Sequence, residues 1–211
     1  MDIVLMGAPG AGKGTQAEQL EKQLHYMHIS TGDVLRKEMA SGSELGKEIS
    51  AVINRGDLIP DDMMLSILKK VVSGAKGDII FDGFPRTVKQ AEMLDKMLCE
   101  LGRKLGKVIN VSLADEVVIA RLSTRKQCKL PNGETKQIGP NFSLEDCKAQ
   151  GGEVFTRKDD TPESIAHRLS VYHKQTAPVA DFYRAAGRFV EVNGDQAPDQ
   201  VFADLLTVLK A

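Results

Sequence analysis

Hydrophobic positions along the chain form short apolar runs that alternate with longer segments of helical spacing. The apolar runs predict five β-strands, at 2–6, 27–29, 78–81, 107–113 and 188–192. Between them, apolar residues recur three and four positions apart, as they do on one face of an amphipathic helix. This alternation is typical of a mainly parallel sheet covered by helices on both faces. We therefore predict a doubly wound α/β fold built on a five-stranded sheet.

A glycine-rich loop follows the first predicted strand. Residues 7–15 read GAPGAGKGT, and the helical pattern that follows starts at Lys13. Glycines let the backbone turn tightly with its N–H groups pointing inward, and the start of a helix attracts an anion. The spacing matches the P-loop pattern GxxxxGK, although Gly14 stands where serine or threonine is usual and the hydroxyl comes at Thr15. We predict a phosphate-binding P-loop, with an ordinary glycine-rich turn as the alternative.

Two segments interrupt the alternating pattern. The first, at about 30–59, contains one helical pattern opening at Thr31 and another at 44–54 that Gly56 should end. We interpret it as a small helical flap. The second, at 123–160, is rich in Lys, Gly, Asn and Gln. Because a structureless loop of that length is unusual in a compact domain, we expect it to form a few short strands.

A further helix is predicted after the second interruption. Thr161 suits the N-cap position and Pro162 the first helical position. Pro178 lacks a backbone N–H group and should bend or end this helix. With the interruptions set apart, the core is predicted to consist of 1–29, 60–122 and 161–211.

Residues that follow parallel strands are candidates for chemistry, because ligands of open α/β sheets bind beyond the carboxyl ends of the strands. Besides the P-loop, two such junctions are polar and contain glycine: Ser30 to Asp33 reads STGD, and Asp82 to Arg86 reads DGFPR. Asp82, directly after an apolar run, is where P-loop enzymes hold Mg²⁺ and its waters. Its alternative role is that of a helix or turn cap.

Arginines concentrate on the flap, at a strand exit and around the second interruption. They are Arg36, Arg86, Arg121, Arg125, Arg157 and Arg168. Planar guanidinium groups suit phosphate, and phosphoryl transfer is catalysed mainly by positioning and by neutralising charge. Any one of them could be a solvated surface charge, so their joint placement is what favours phosphoryl transfer. The pair Asp159 and Asp160 could bind a metal, but we favour a hinge in which these carboxylates pair with basic residues.

Composition narrows the range of functions. The chain has 211 residues, 28 basic against 29 acidic side chains, and 42% hydrophobic content. With this balance the protein has no net positive charge that would attract nucleic acid or an anionic membrane, and neither is expected as a partner. No stretch approaches a membrane span and no leader is visible, so we expect a cytoplasmic protein. Three cysteines, an odd number, argue against a secreted disulfide framework.

Four motifs together resemble the adenylate kinase family in its long-lid form: GAPGAGKGT at 7–15, STGD at 30–33, DGFPRT at 82–87 and TRKDD at 156–160. The resemblance covers essentially the whole chain. It implies that ATP and AMP are converted reversibly into two ADP, with Mg²⁺ accompanying ATP and no covalent enzyme intermediate. It also implies that 30–59 is an insert that binds the monophosphate, that 123–160 is a lid, and that the protein is a monomer.

The resemblance also implies the role of each site residue. Those expected to bind ATP are Gly10, Ala11, Gly12, Lys13, Gly14, Thr15, Arg121 and Arg125. Those expected to bind AMP are Thr31, Arg36, Asp57, Leu58, Ile59, Gly83, Arg86, Gln90, Arg157 and Arg168. Those expected to act in the transfer are Lys13, Asp82, Arg86, Arg125, Arg157 and Arg168. Direct metal ligation by protein is not expected, except that Asp82 could reach Mg²⁺ through water.

The cysteines of the second interruption depart from the long-lid members that bind zinc through two cysteine pairs. Cys128 and Cys147 stand where each pair would begin, but Pro131 and Gln150 occupy the second positions. A structural zinc ion needs four good ligands, so we predict that this segment binds no zinc. The two cysteines could pack as thiols or form a disulfide, which a reducing cytoplasm would oppose. Cys99 is expected to lie in the core.

Other functions remain as alternatives. Another nucleoside monophosphate kinase is the nearest, but the long lid and Thr31 favour AMP as the acceptor. A module that senses a nucleotide without turning it over would not need Lys13 together with the arginines. A nucleic-acid translocase lacks support, because the chain has no tryptophan and only 5% aromatic residues.

Overall fold

A computed structural model of the protein describes residues 1–55, 57 and 59–210. Its strands are β1 (Asp2–Met6), β2 (Met27–Ser30), β3 (Ile79–Asp82), β4 (Leu105–Ser112), β5 (Gln127–Lys129), β6 (Thr135–Gln137), β7 (Glu153–Phe155) and β8 (Phe189–Asn193). Its helices are α1 (Lys13–Leu24), α2 (Thr31–Ala40), α3 (Glu44–Asn54), α4 (Asp61–Ser73), α5 (Val88–Glu100), α6 (Asp115–Thr124), α7 (Leu144–Ala149), α8 (Pro162–Val171), α9 (Ala177–Ala185) and α10 (Pro198–Lys210).

Five strands form the central sheet in the order β2-β3-β1-β4-β8, and every neighbouring pair is parallel. The predicted α/β fold and its five-stranded sheet are confirmed. The predicted strand bounds differ from the observed ones by at most two residues. Ser30 of β2 and Leu5 of β1 both pair with Asp82 of β3. The carboxyl ends of three neighbouring strands therefore lie side by side, and the loops that leave them start at one edge.

Helices cover both faces of this sheet. Alternate residues of β1 point to opposite sides: Val4 and Met6 pack in a cluster with α4, α5 and α9, whereas Ile3 and Leu5 pack with α1 and α10. All four side chains are at most 3% exposed. An uninterrupted apolar strand is what a sheet buried on both faces requires.

The described part of the segment 30–59 contains two helices, as predicted, and α2 and α3 pack against each other. Ser30 caps α2 by accepting a hydrogen bond from the N–H of Asp33, and Ser43 caps α3 in the same way from Gly46. The prediction that Gly56 ends the second helix lies outside the described residues.

The segment 123–160 forms its own antiparallel sheet in the order β6-β5-β7, together with α7. The prediction of short strands is confirmed, and the helix α7 is an addition that sequence reasoning missed. Cys128 and Cys147 form a disulfide with their Cα atoms 5.9 Å apart. Of the two arrangements considered above, packed thiols and a disulfide, the structure has the disulfide. Among the described residues, no group of three or more His, Cys, Asp or Glu side chains could hold a metal ion. The absence of zinc itself stays a prediction.

The helix that starts after Thr161 changes its winding before Pro178. Thr161 and Pro162 take the predicted N-cap and first positions. A π-helical turn (Tyr172–Thr176) then separates α8 from α9, and Pro178 lies in the first turn of α9. The proline therefore interrupts the α-helical hydrogen bonds without ending the helical path.

Cys99 is exposed, so the prediction that it lies in the core is wrong. The buried face of α5 carries Leu94 and Leu98. At about 100° per residue, Cys99 points about 140° away from Leu94, onto the solvent side. In the part of the chain that the structure describes, no helix is long and apolar enough to cross a membrane.

Candidate functional site

The P-loop lies between β1 and α1 in a conformation that depends on glycine. Gly10 and Gly12 have φ angles of 81° and 96°, a region that other residues rarely adopt. Gly12 is the N-cap of α1 and offers no side chain to bond the first N–H groups of the helix. These groups face the cleft at the positive end of the helix dipole, where an anion binds well.

Lys13 lies across the P-loop. Its Nζ donates to the carbonyl oxygens of Gly7 and Ala8, each at 2.9 Å. Burial lowers the pKa of Lys13 from 10.5 to about 8, although Asp82 opposes this, and the positive charges of Arg86, Arg168 and Arg125 lower it further. A phosphate group beside Lys13 would restore the charged form, so this lysine is prepared for an anion.

A second wall of the cleft is built where β2 and β3 end. The hydroxyl of Thr31 donates to the carbonyl of Asp82 at 3.1 Å, which joins the start of α2 to the end of β3. A Cβ atom on Gly83 would lie only 2.7 Å from Oγ1 of Thr31, so this contact requires glycine there. The backbone of the DGFPR motif at Gly83 therefore lies directly against Thr31, at the start of the flap helix α2.

Arg86 is fixed at several points beside this wall. Its Nε donates to the carbonyl of Gly83 at 2.7 Å, and its backbone N–H donates to Oε1 of Gln90 at 2.7 Å. Gln90 is buried, and its amide nitrogen donates to Asp61 at 2.8 Å. The Arg86 guanidinium is thereby aimed into the cleft before any ligand arrives.

Like charges crowd the middle of the cleft. Desolvation lowers the pKa of Arg86 and of Arg157, and neighbouring guanidinium groups lower both further: Arg168 acts on Arg86, and Arg125 and Arg36 act on Arg157. Nε of Arg157 is buried without a hydrogen-bond partner among the described residues. Cations that repel one another in a partly dry cleft stabilise a polyanion placed between them.

Two carboxylates at the end of the segment 123–160 counter part of this charge. The side chain of Asp160 is 0% exposed; it accepts bonds of 2.8 and 2.6 Å from Arg125 and lies 3.3 Å from Nη1 of Arg168. Asp159 accepts a bond of 3.0 Å from the same Nη1. The hinge interpretation expected such pairs, and their geometry links the two ends of the segment.

Asp82 lies on the floor of the cleft, between the P-loop and β2. Its Oδ2 is 3.7 Å from the point where a side chain on Gly14 would begin. Nε2 of His28 lies 3.4 Å from the same oxygen, and this interaction and the negative charge of Asp82 outweigh burial and raise the pKa of His28. Sequence reasoning gave His28 no role. Its position in the strand could have identified it, because His28 lies two residues before the end of β2, the strand that pairs with β3.

A single cleft of about 740 Å³ brings the described site residues together. They are Gly10, Ala11, Gly12, Lys13, Gly14, Thr15, Thr31, Arg36, Asp57, Ile59, Asp82, Gly83, Arg86, Gln90, Arg121, Arg125, Arg157 and Arg168. Leu58 lies outside the described residues. The individual roles of these site residues in binding and transfer stay predictions.

Sequence reasoning missed several residues that also line this cleft. On the P-loop side they include Gln137, Gly194, Gln196 and Pro198, and on the other side Leu35, Met64 and Thr176. Arg121 donates to the carbonyl of Gly194 at 3.1 Å, which joins α6 to the loop after β8. Asp57, expected near AMP, also lies 3.0 Å from Nε2 of His167 on α8. Such contacts join segments far apart in sequence and have no local motif.

A P-loop at the edge of a five-stranded parallel sheet, facing a cleft lined by converging cations, defines a P-loop protein that binds phosphorylated ligands. Residues 5–188 match the family model for adenylate kinase. The chain is 41% identical to an adenylate kinase of Methanothrix thermoacetophila over 211 residues, covering 99% of this chain and 98% of that protein. It is 42% identical to an adenylate kinase of Caldicellulosiruptor bescii, covering 99% of each, and 41% identical to one of Listeria innocua, also covering 99% of each.

The chain belongs to the adenylate kinase family. Its class of enzyme is therefore that of the nucleoside monophosphate kinases, which are transferases.

Proposed function

We propose that this protein transfers a phosphoryl group from ATP to AMP in a single in-line step, with Mg²⁺ accompanying ATP. The observation that carries the proposal is the arrangement of one cleft: the P-loop forms one wall, Thr31, Gly83 and Arg86 form the other, and cationic side chains lie between them. The two nucleotides then meet with their phosphates in the middle. The segments 30–59 and 123–160 act as the monophosphate-binding insert and the lid.

Each wall has its own task in this proposal. The P-loop amides and Lys13 hold the ATP phosphates. Arg121 lies against the adenine of ATP, and Arg125 reaches the ATP phosphates. On the acceptor side, Arg86 binds the AMP phosphate and Gln90 the base, with Thr31, Arg36 and residues 57–59 around the nucleotide. Arg157 and Arg168 neutralise the oxygens of the group in transit. Positioning AMP as the nucleophile removes the need for a side chain that attacks ATP.

The residues beside the P-loop suit Mg²⁺. Asp82, with a carboxylate, and Thr15, with a hydroxyl, both line the cleft. Mg²⁺ takes oxygen ligands while keeping several waters. When bound, the ion supplies positive charge to the phosphate oxygens. Asp82 would hold it through water, and Lys13 and the P-loop amides would orient the ATP phosphates against it.

A coupled assay with ATP and AMP tests the reaction. We expect robust transfer to AMP, weak transfer to UMP and CMP, and loss of activity on chelation of Mg²⁺. The variant Lys13→Met should abolish transfer and keep the fold. Preference for UMP or CMP, or a near-normal rate in Lys13→Met, would overturn the proposal.

Direct transfer is tested by incubating the enzyme with ATP labelled at the γ-phosphate in the absence of AMP. After quenching with SDS at neutral pH, which preserves acyl phosphates and phosphohistidine, we expect no label on the protein, whereas stoichiometric label would require a covalent intermediate. Monomeric state is tested by sedimentation, and a titration with single-stranded DNA should show no binding.

A further inference from the structure

The π-helical turn between α8 and α9 brings one hydroxyl into contact with the candidate acceptor site. Thr176, the last residue of that turn, is buried, and its Oγ1 donates to the backbone carbonyl of Arg86 at 2.9 Å. The two residues are separated by 90 positions in the sequence. This bond connects the helical path that carries Arg168 to the motif that carries Arg86.

Arg86 is therefore held through its backbone from two sides. Its N–H donates to Gln90, and its carbonyl accepts from Thr176. With Nε donating to Gly83, three bonds restrict the direction of the guanidinium. A group that must meet phosphate within a few tenths of an ångström depends on such support.

The π turn has a local cause. Pro178 has no N–H group to donate, and its ring would clash with the carbonyl of residue 174 in a continuous α-helix. The N–H of Ala177 bonds instead to the carbonyl of Tyr172, five residues back, which widens the turn. Each residue turns an α-helix by about 100°, so the extra residue of a π turn changes the direction in which the following side chains point.

We infer that Thr176 is a positioning residue for binding the acceptor phosphate: its hydroxyl, aimed by the π turn, fixes the backbone of Arg86. The inference rests on the proposed function, because it takes Arg86 to bind the phosphate of AMP. Loss of the hydroxyl leaves the Arg86 carbonyl without this partner and lets the arginine shift. The affected step is acceptor binding, and the donor side is spared.

The variant Thr176→Val tests this inference, since valine keeps the shape and removes the hydroxyl. We expect KM for AMP to rise about tenfold, with KM for ATP changed less than about twofold, because one buried hydrogen bond is lost at one wall of the cleft. Calorimetry with AMP alone should show the same weakening. Thr176→Ser keeps the hydroxyl and should return KM for AMP to within about twofold of the parent value.

A matched control is Thr207→Val on α10, which removes an exposed hydroxyl that bonds the carbonyl of Ala203. It should leave both KM values unchanged. Thermal unfolding of all variants separates a positioning effect from loss of fold. If Thr176→Val raises both KM values equally, or leaves KM for AMP unchanged, the inference is wrong.

Arg86→Ala distinguishes this inference from the proposed function. If Arg86→Ala does not weaken the binding of AMP, the assignment of Arg86 fails. If Arg86→Ala weakens AMP binding and Thr176→Val does not, only the inference fails. In the double variant, Thr176→Val should add nothing to the defect of Arg86→Ala, because the hydroxyl acts through that arginine. Additive defects would contradict the inference.

Discussion

The buried carboxylate of Asp160 is the site of our most quantitative prediction. It accepts two hydrogen bonds from Arg125, at 2.8 and 2.6 Å, and contacts Arg168 at 3.3 Å. Replacing it by asparagine keeps the shape and removes the negative charge. Arg125 then loses this counter-charge, whereas Arg168 keeps its bond to Asp159. Breaking a buried ion pair on one side costs about 3–5 kcal/mol. Asparagine retains one acceptor oxygen, so we expect the lower end, about 3 kcal/mol.

The assay is thermal and denaturant unfolding of Asp160→Asn against the parent protein. For a chain of this size, 1 kcal/mol corresponds to about 2–4 °C, so Tm should fall by about 6–12 °C. Asp159→Asn is the matched control, because that side chain is 23% exposed and, among the described residues, its carboxylate bonds to Arg168 alone. It should lower the unfolding free energy by no more than about 1 kcal/mol.

Nucleotide adds a second readout. If phosphate can replace the lost carboxylate beside Arg125 and Arg168, a saturating polyphosphate nucleotide should raise Tm by more in Asp160→Asn than in the parent protein. A loss of stability below about 1 kcal/mol in Asp160→Asn, equal to that of Asp159→Asn, would refute the reasoning. It would mean that the two arginines are well solvated without Asp160.

Three further predictions follow from other parts of the molecule. Because burial lowers the pKa of Lys13 to about 8 and ATP phosphates favour its charged form, ATP binding at pH 9 should take up a proton, and binding at pH 7 should take up almost none. Calorimetry in buffers of different ionisation enthalpy measures this uptake, and uptake that persists in Lys13→Met would contradict the prediction. The unreduced, denatured protein should show one reactive thiol, Cys99, and three after reduction; three thiols before reduction would exclude the disulfide. Reduction should destabilise the segment 123–160 by about 3 kcal/mol, because the disulfide joins residues 19 positions apart in the sequence. Gly152→Ala should destabilise the same segment, because its Cβ would overlap with Sγ of Cys128. Gly133→Ser, at an open turn, tests the cost of a positive φ alone, and equal losses of hydrogen-exchange protection in the two variants would show that the close approach at Gly152 is unimportant.

The parts of the fold and site that sequence predicted are those encoded in short segments. The P-loop, the cap at Thr161 and the junction at Asp82 each depend on neighbouring residues, so a local pattern suffices. The parallel order also constrains where these junctions meet, because the carboxyl ends of parallel strands share an edge. The convergence of distant arginines was therefore predictable in outline. The roles of single residues rest on the resemblance to the family and stay predictions.

What sequence did not predict depends on distances between segments. The bond from Thr176 to Arg86 joins residues whose proximity is set by the packing of helices. The sequence predicted that Asp160 pairs with basic residues, but the choice of Arg125 and Arg168 as its partners depends on the same packing. Cys99 was misplaced because its neighbours in α5 are apolar, and a pattern that is apolar over much of a helix leaves the buried face open to error. The pairing of Cys128 with Cys147 could not be chosen over free thiols, since spacing does not determine geometry.

The central claim is that two nucleotides occupy one cleft with their phosphates end to end. Calorimetric titration with a dinucleotide of two adenosines joined by five phosphates tests it most directly. We expect one dinucleotide per chain, bound about a hundredfold or more tighter than ATP, and complete exclusion of both ATP and AMP. Two dinucleotides per chain, or AMP that still binds when the dinucleotide is saturating, would contradict the claim.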